Sequence, residues 1–383
     1  MSWFFLGTTL GKEGKTSEAT AFKTLQTESV NAVGKGFGTI SVVKIDKSKF
    51  KIGTLDQLVK LNDALAKVDY NLEGVIRKIQ KQAAEVSSDL KLKIETQDST
   101  MEVRDFVESF QWDDTKYPRT RSLVEIAQIV SEKMVTNDTD IKKHTEEYNQ
   151  LKNQLSQLKK KDEGSFMNRD LGDIVYGNIS ADNFVRDSKF LRNVIIVVPK
   201  NKVEFFNSNY EAVGEGVVPK SARDLKQEDK EGNRLMRVVV MENSFDTFIT
   251  KCKSQIGFLA RVFNYNEEKY KQELEEAKVV EGKLNKLTGK LEKRCYYTFS
   301  ELYVSLIHLK AMRAYIDGVL RFGIPPKFLL TVVNIKHGYD KKLLKGLTDL
   351  FVSTKERDMY GSKEEIGDTE DFYPFVYVPI SSI

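Results

Sequence analysis

Two long stretches of this chain carry apolar residues at alternating spacings of three and four, and that pattern limits the fold more than any other feature. In the first, the seam runs Met134, Asn137, Ile141, His144, Tyr148, Leu151, Leu155 and Leu158, with Lys, Gln, Glu and Asn between. This is the heptad signature of a helix lying along a partner. A start is marked at Ser122-x-x-Glu125, just after Pro118, where hydroxyl and carboxylate can satisfy each other's backbone donors. Lys159, Lys160 and Lys161 suit the negative pole of a helix, and Gly164 can supply the left-handed cap. At ~1.5 Å per residue this helix is roughly 60 Å long. The second stretch starts at Asn264 or Asn266 and reads Ala277, Val280, Leu284, Leu287 and Leu291. After a shift in phase it continues through Cys295, Phe299, Leu302, Leu306, Leu309, Ile316 and Leu320. Gly323 is the natural cap, and Pro325-Pro326 stop the helix by removing donors and clashing with the preceding turn. Unbroken, it spans roughly 80 Å.

The second helix changes character along its length. Residues 267–294 are narrow-striped and highly charged, whereas 295–320 are broadly apolar and aromatic, with Tyr296, Tyr297, Phe299, Tyr303 and Tyr315. The first half reads as neck and the second as core. Each buried Leu or Ile contributes roughly 1.5–3 kcal/mol, so the two seams are each other's obvious partner. The residues between them must then form a tip that returns the chain antiparallel. In that insert Asn193–Lys200 and Leu235–Met241 read as strands, 202–212 and 244–257 as helices, and Asp224–Asn233 as a charged surface loop. Outside it, 2–7, 38–45, Phe328–Ile335 and Phe372–Ile380 read as strands, and 18–28 and 341–352 as helices. Leu55–Leu90 reads as a helical pair around Asp69-Tyr70, and Thr354–Asp371 as a polar, mobile stretch. The expected fold is α+β and elongated: a split α/β foot, a long antiparallel two-helix coiled-coil neck and an inserted α/β head. The boundaries are 1–120 for the N-terminal part of the foot, 121–164 for neck helix 1, 165–263 for the head, 264–294 for neck helix 2 and 295–383 for the C-terminal part of the foot.

Composition narrows the function. With 60 basic against 56 acidic side chains and a formal charge of +4 over 383 residues, the chain lacks the surplus that phosphate neutralisation along nucleic acid demands. Cys252 and Cys295 have no CxxC partner, and His144, His308 and His337 form no metal spacing. No run reaches the ~18 apolar residues a membrane span needs, and the apolar run at Trp3–Leu6 is too short for a signal segment. A cytosolic protein without membrane insertion, cofactor or metal is expected. The most tempting motif is Gly7-Thr-Thr-Leu-Gly-Lys-Glu-Gly-Lys-Thr16, but a phosphate loop needs glycine where Thr9 stands. A flexible turn is the better reading, with nucleotide or anion binding at 7–16, or a coiled-coil tether, as the rival functions. Trp112 is read as core rather than as a partner-facing anchor. His144 and Asn137 are read as polar residues setting the register of the seam rather than as a pH sensor. His308, beside Lys310 and Arg313, is read as a satisfied packing residue. No catalytic residue is singled out.

Several ordered segments carry a resemblance. They are Phe50-Lys-Ile-Gly-Thr-Leu-Asp56, Lys67-Val-Asp69, Phe110-Gln-Trp112 with Lys116-Tyr-Pro118, and Phe184 through Val197-Val-Pro-Lys200. Arg261-Val-Phe-Asn-Tyr265, Ile307-His-Leu-Lys-Ala-Met-Arg313, Val319-Leu-Arg-Phe-Gly-Ile-Pro-Pro326 and Tyr373-Pro-Phe-Val376 follow. Together they resemble the C subunit of the eukaryotic V-type proton ATPase (vacuolar H+-ATPase) over nearly the whole length, although an aromatic residue expected before His308 is replaced by Leu306 and Ile307, and the N-terminal segment matches weakly. The resemblance implies a non-catalytic stator linker, monomeric when free, on the cytosolic face of acidic-organelle membranes. Its head would grip a peripheral-stalk heterodimer of the E and G subunits. Its foot would contact a second such stalk and the cytosolic domain of the membrane sector's a subunit. The resemblance also implies release of the linker when the soluble and membrane sectors separate reversibly.

Overall fold

The computed structural model describes residues 2–10, 16–96, 99–159, 165–336, 338–351 and 373–381. It is an α+β protein. In chain order the strands are β1 (Ser2–Thr9), β2 (Gly38–Val42), β3 (Ile94–Glu95), β4 (Thr100–Met101), β5 (Leu191–Pro199), β6 (Arg223–Glu228), β7 (Asn233–Met241), β8 (Leu259–Phe263), β9 (Phe328–Ile335) and β10 (Val376–Ile380). The helices are α1 (Glu18–Val33), α2 (Leu55–Val86), α3 (Val103–Glu108), α4 (Leu123–Lys159), α5 (Leu171–Val175), α6 (Val203–Asn209), α7 (Phe245–Lys251), α8 (Glu267–Phe322) and α9 (Asp340–Phe351). The chain divides into unit 1, Met1–Thr145 with Thr288–Ile383, and unit 2, Glu146–Leu287. Both boundaries fall inside helices, one in α4 and one in α8.

Unit 1 holds an antiparallel sheet of order β10-β1-β9-β2, built from both ends of the sequence. On one face Phe4, Leu6, Val333 and Phe375 bury against Leu25 of α1 and Leu343 and Leu347 of α9. On the other, the Phe5 ring meets Phe110 at 5.9 Å and Phe328 meets Tyr315 of α8 at 6.1 Å. α2 corrects one expectation. It is a single continuous helix, opened by a capping box between Thr54 and Gln57, and not a pair broken at Asp69-Tyr70. The apparent break is a member of the buried stripe Leu58, Leu61, Leu65, Asp69, Leu72, Ile76 and Ile79, at the i, i+3, i+4 spacing of an amphipathic helix.

The start of α4 follows its sequence signal. Ser122 N–H and Oγ donate to Glu125 Oε2 at 2.7 and 2.8 Å, and Glu125 N–H donates back to Ser122 Oγ at 3.3 Å. Along the seam Met134, Asn137, Ile141 and Tyr148 are buried, while Leu151, Leu155 and Leu158 are half-buried. Within unit 1 α4 and α8 run antiparallel. Asp140 pairs with Arg294, and one and two turns back along α4 Asn137 and Lys133 reach Glu301 at 3.3 and 3.5 Å. The polar Asn137 therefore fixes the pairing, as a register residue should. α8 ends at Phe322, where Gly323 takes φ +83 and donates its N–H to Val319 O at 3.0 Å. The expected cap of α4 at Lys160, Lys161 and Gly164, and the polar stretch Thr354–Asp371, lie outside the described residues.

Unit 2 holds a second antiparallel sheet, of order β6-β7-β5-β8, covered on both faces. Val194, Ile196, Met236 and Val238 pack with Phe206 of α6 and Phe248 of α7. Ile195, Val197, Leu225 and Leu235 pack with Phe166, Ile174 and Phe184. Apolar runs on β5 and β7 follow from that double burial. The segment expected as a charged loop, Asp224–Asn233, instead begins as strand β6, bulged between Asp224 and Glu228. It is an edge strand, where charged side chains and bulges block further pairing, so its polarity misleads. Its turn is tied down by Asp229, which accepts from Ser165 Oγ, Phe166 N–H and Asn233.

Candidate functional site: polar ties on the buried half of the long helix

Between Cys295 and Val319, α8 is largely buried, and several of its polar residues each hold a sequence-distant segment of unit 1. Ser300 Oγ accepts from Glu95 N–H at 2.7 Å, and Ser305 Oγ meets Tyr117 OH at 2.7 Å. Tyr315 OH donates to Lys47 O at 3.1 Å, while Lys47 Nζ reaches Glu18 at 2.6 Å and Phe328 O at 2.5 Å. Buried polar groups are satisfied in pairs here, and each unpaired partner would carry its desolvation cost.

The densest cluster joins α8 to α2. Lys310, 2% exposed, lies 2.8 Å from both Asp69 and Glu73, and Arg313 also pairs with Asp69. Ser381 Oγ donates to both Glu73 oxygens at 2.9 and 2.8 Å, which ties the segment after β10 to the same point. Burial pushes the Glu73 carboxyl up, but the hydrogen bond and charge of Lys310 more than offset this and hold it below its ordinary range.

A second cluster surrounds His308. Phe110, Trp112 and Tyr117 stand 4.9, 5.1 and 4.6 Å from its ring. Nε2 accepts from Asp113 N–H at 3.0 Å, so Nδ1 carries the proton and donates to Val304 O at 2.7 Å. Full burial pushes His308 down to about 4, which keeps the imidazole neutral at physiological pH. Trp112 Nε1 donates to Tyr117 O at 2.8 Å, and its ring meets Phe50 at 5.0 Å, so this tryptophan is core. Burial likewise pushes the Cys252 and Cys295 thiols up to about 12 and about 11, far from nucleophilic thiolates. His144 on α4 stays half-exposed, with Nε2 3.7 Å from Asp140.

In the glycine-rich segment the described residues have structural roles. Gly7 sits inside β1, opposite Val376 on one side and Leu330 on the other, and a Cβ there would stand 2.9 Å from Val376 Cβ. Its small size serves strand packing. The α1 N-terminus is already capped, with Ser17 Oγ accepting from Thr20 N–H. Residues 11–15 of the motif lie outside the described residues. Among the described residues no three His, Cys, Asp or Glu side chains converge to hold a metal ion, and no helix is long and apolar enough to cross a membrane. The Asp69–Lys310 cluster is not evident from sequence alone. Its signals are a lysine in the otherwise apolar run Leu306–Met312, and an aspartate at a core position of the α2 stripe.

The profile of the V-ATPase C-subunit family matches residues 5–376. The chain belongs to that family. Curated relatives include the V-type proton ATPase C 1 subunits of Xenopus laevis and of Mus musculus, each 32% identical over 345 residues, and the C 1-A subunit of Danio rerio, 33% identical over 349. In each case 88% of either chain is covered. Membership makes this an accessory, non-catalytic component in V-ATPase proton transport. Of the segments that carry the family resemblance, 184–200 and 261–265 lie in unit 2, and the others lie in unit 1, where several meet. Phe50 meets Trp112 edge-on at 5.0 Å and Tyr315 at a tilt at 4.7 Å, Asp69 meets Lys310 and Arg313, and Asp113 meets His308. What these segments encode is an interior that locks α2, the 106–118 segment and α8 into one body.

Proposed function

We propose that this protein is a stator linker of the V-type ATPase peripheral stalk, joining the soluble catalytic sector to the membrane sector and leaving when they separate. In this reading the head, 165–263, grips one E–G heterodimer, and the foot, 1–120 with 295–383, contacts a second E–G stalk and the cytosolic domain of the a subunit. The heptad-spaced seams of α4 and α8 form the coiled-coil neck between head and foot. The observation that carries the reading is the division into two units, each with its own sheet and core, whose boundaries both lie within continuous helices. A chain so divided can hold two partners at once, and packed helices transmit load where a flexible linker would not. Two modest interfaces on one body gain avidity together and release when either is disengaged, which supports a reversible role at the cytosolic face of acidic organelles. Affinity purification of the tagged full chain from native membranes tests this. Recovery of E, G and a is expected under conditions that keep the sectors joined, with loss of a after separation; absence of E and G from every preparation contradicts it.

A further inference from the structure

One face of the unit 2 sheet carries a row of arginines. The register sets Arg223 of β6 opposite Arg237 of β7, Arg237 opposite Ile195 of β5, and Ile195 opposite Arg261 of β8. Paired positions share a face, so three guanidinium groups line up across four strands. Arg237 is 6% exposed, yet its partners are neutral: Nε donates to Asn183 O at 2.5 Å and Nη1 to Ser221 O at 3.1 Å. Arg261 donates to Arg169 O and Phe166 O, at 2.8 and 2.6 Å, with the Asp170 charge nearby. Arg223 is exposed. Among the described residues none of the three has a carboxylate within ion-pair distance, although the neighbouring Arg192 and Arg234 both do. Burial and the Arg223 charge both push Arg237 below the ordinary arginine range.

A buried cation without a counter-charge, with a like charge opposite it, is unfavourable in the free chain. Among the described residues Arg237 Nη2 meets no acceptor, and it keeps some contact with solvent, with Arg223 opposite on β6. We infer that Arg237 and Arg223 are the docking point for a carboxylate of an acidic partner polypeptide on unit 2, which rests on the proposal that this unit grips a peripheral-stalk heterodimer. A guanidinium pair takes a carboxylate through parallel N–H donors. The surroundings favour a polypeptide over a free anion. Met241, 51% exposed, lies four residues along β7 on the same face, about 13 Å away. A free anion would leave it in water, whereas an acidic helix with an apolar flank covers it.

The test uses the full chain and a purified E–G heterodimer, read as affinity and as hydrogen-exchange protection of residues 180–241. Arg223→Glu is expected to weaken binding at unit 2 at least tenfold, and Arg237→Lys, which keeps the charge but loses the planar fork, several-fold. Lys253→Glu, the same charge change on the α7 side of the sheet, is expected to leave it unaltered. Thermal melts confirm folding, and if Arg237→Lys does not fold, the exposed Arg223→Glu decides alone. Unchanged binding by Arg223→Glu, an equal loss in Lys253→Glu, or the same protection produced by inorganic phosphate overturns the inference while leaving the linker role standing. No protection of unit 2 in the unmodified chain overturns both.

Discussion

The two four-stranded sheets are assembled in opposite ways. In unit 2 all strands come from residues 191–263, so every pairing closes within one continuous stretch of chain. In unit 1 β1 lies between β9 and β10, which follow it by most of the chain length. Long-range pairings bear their loop-closure entropy before the contacts reward it. The two regions also carry charge differently. Unit 1 hides paired ions and a neutral histidine around α8, whereas unit 2 leaves the buried Arg237 and the half-buried Arg261 on main-chain carbonyls. One region has completed its electrostatics internally, and the other has donors to spare.

The largest expected effect breaks that contrast from the unit 1 side. Lys310→Met leaves Asp69 to Arg313 and Glu73 to Ser381 and Arg77, and removing one member of a buried pair costs up to about 3–5 kcal/mol. Hydrogen exchange should show lost protection in β1 and β9 and none lost in β5 and β7. Phe248→Ala, at a fully buried site in the other core, should do the reverse at about 3–5 kcal/mol. If either substitution weakens both sheets equally, the units are not energetically separate.

pH sharpens the same comparison. His308 is held at about 4 against an ordinary value of 6.5. Between those values the unfolded chain binds a proton that the folded chain excludes. Stability therefore falls as pH drops through this window, by up to about 1.4 kcal/mol per pH unit. Unit 2 contains no histidine. Its Asp229, pushed up by burial but held down to about 2 by Asn233, Phe166 and Ser165, supplies stability above its ordinary 3.8 that is lost only below it. Lowering pH from 6.5 to 4.5 should thus loosen β1 and β9 before β5 and β7. Smaller still, Gly38→Ala sets a Cβ 1.8 Å from Asn334 O and should destabilise the β2–β9 pairing by about 1–3 kcal/mol. Ser122→Ala, which removes the α4 cap, should cost about 1 kcal/mol in a thermal melt.

What is legible in the sequence follows from where each signal is local. The Ser122–Glu125 cap, the Gly323 stop and the apolar runs of β5 and β7 depend on neighbours along the chain, and they stand where expected. β6 is hidden because an edge strand is dressed in charge, and α2 looks broken because Asp69 reads as polar until Lys310 and Arg313 arrive from residues far away. The cluster itself is a tertiary fact, since its members lie on two helices and the segment after β10. The family resemblance is readable because its segments recur in order, while the meeting of several around α8 needs the fold.

The central claim is that two separately cored units of one chain hold different partners. Cross-linking mass spectrometry on the reconstituted V-type ATPase tests it most directly. Links to E and G are predicted in two sets, one within 165–263 and one within unit 1, with links to the a subunit confined to unit 1. Links to E, G and a that all fall on a single unit would contradict the account.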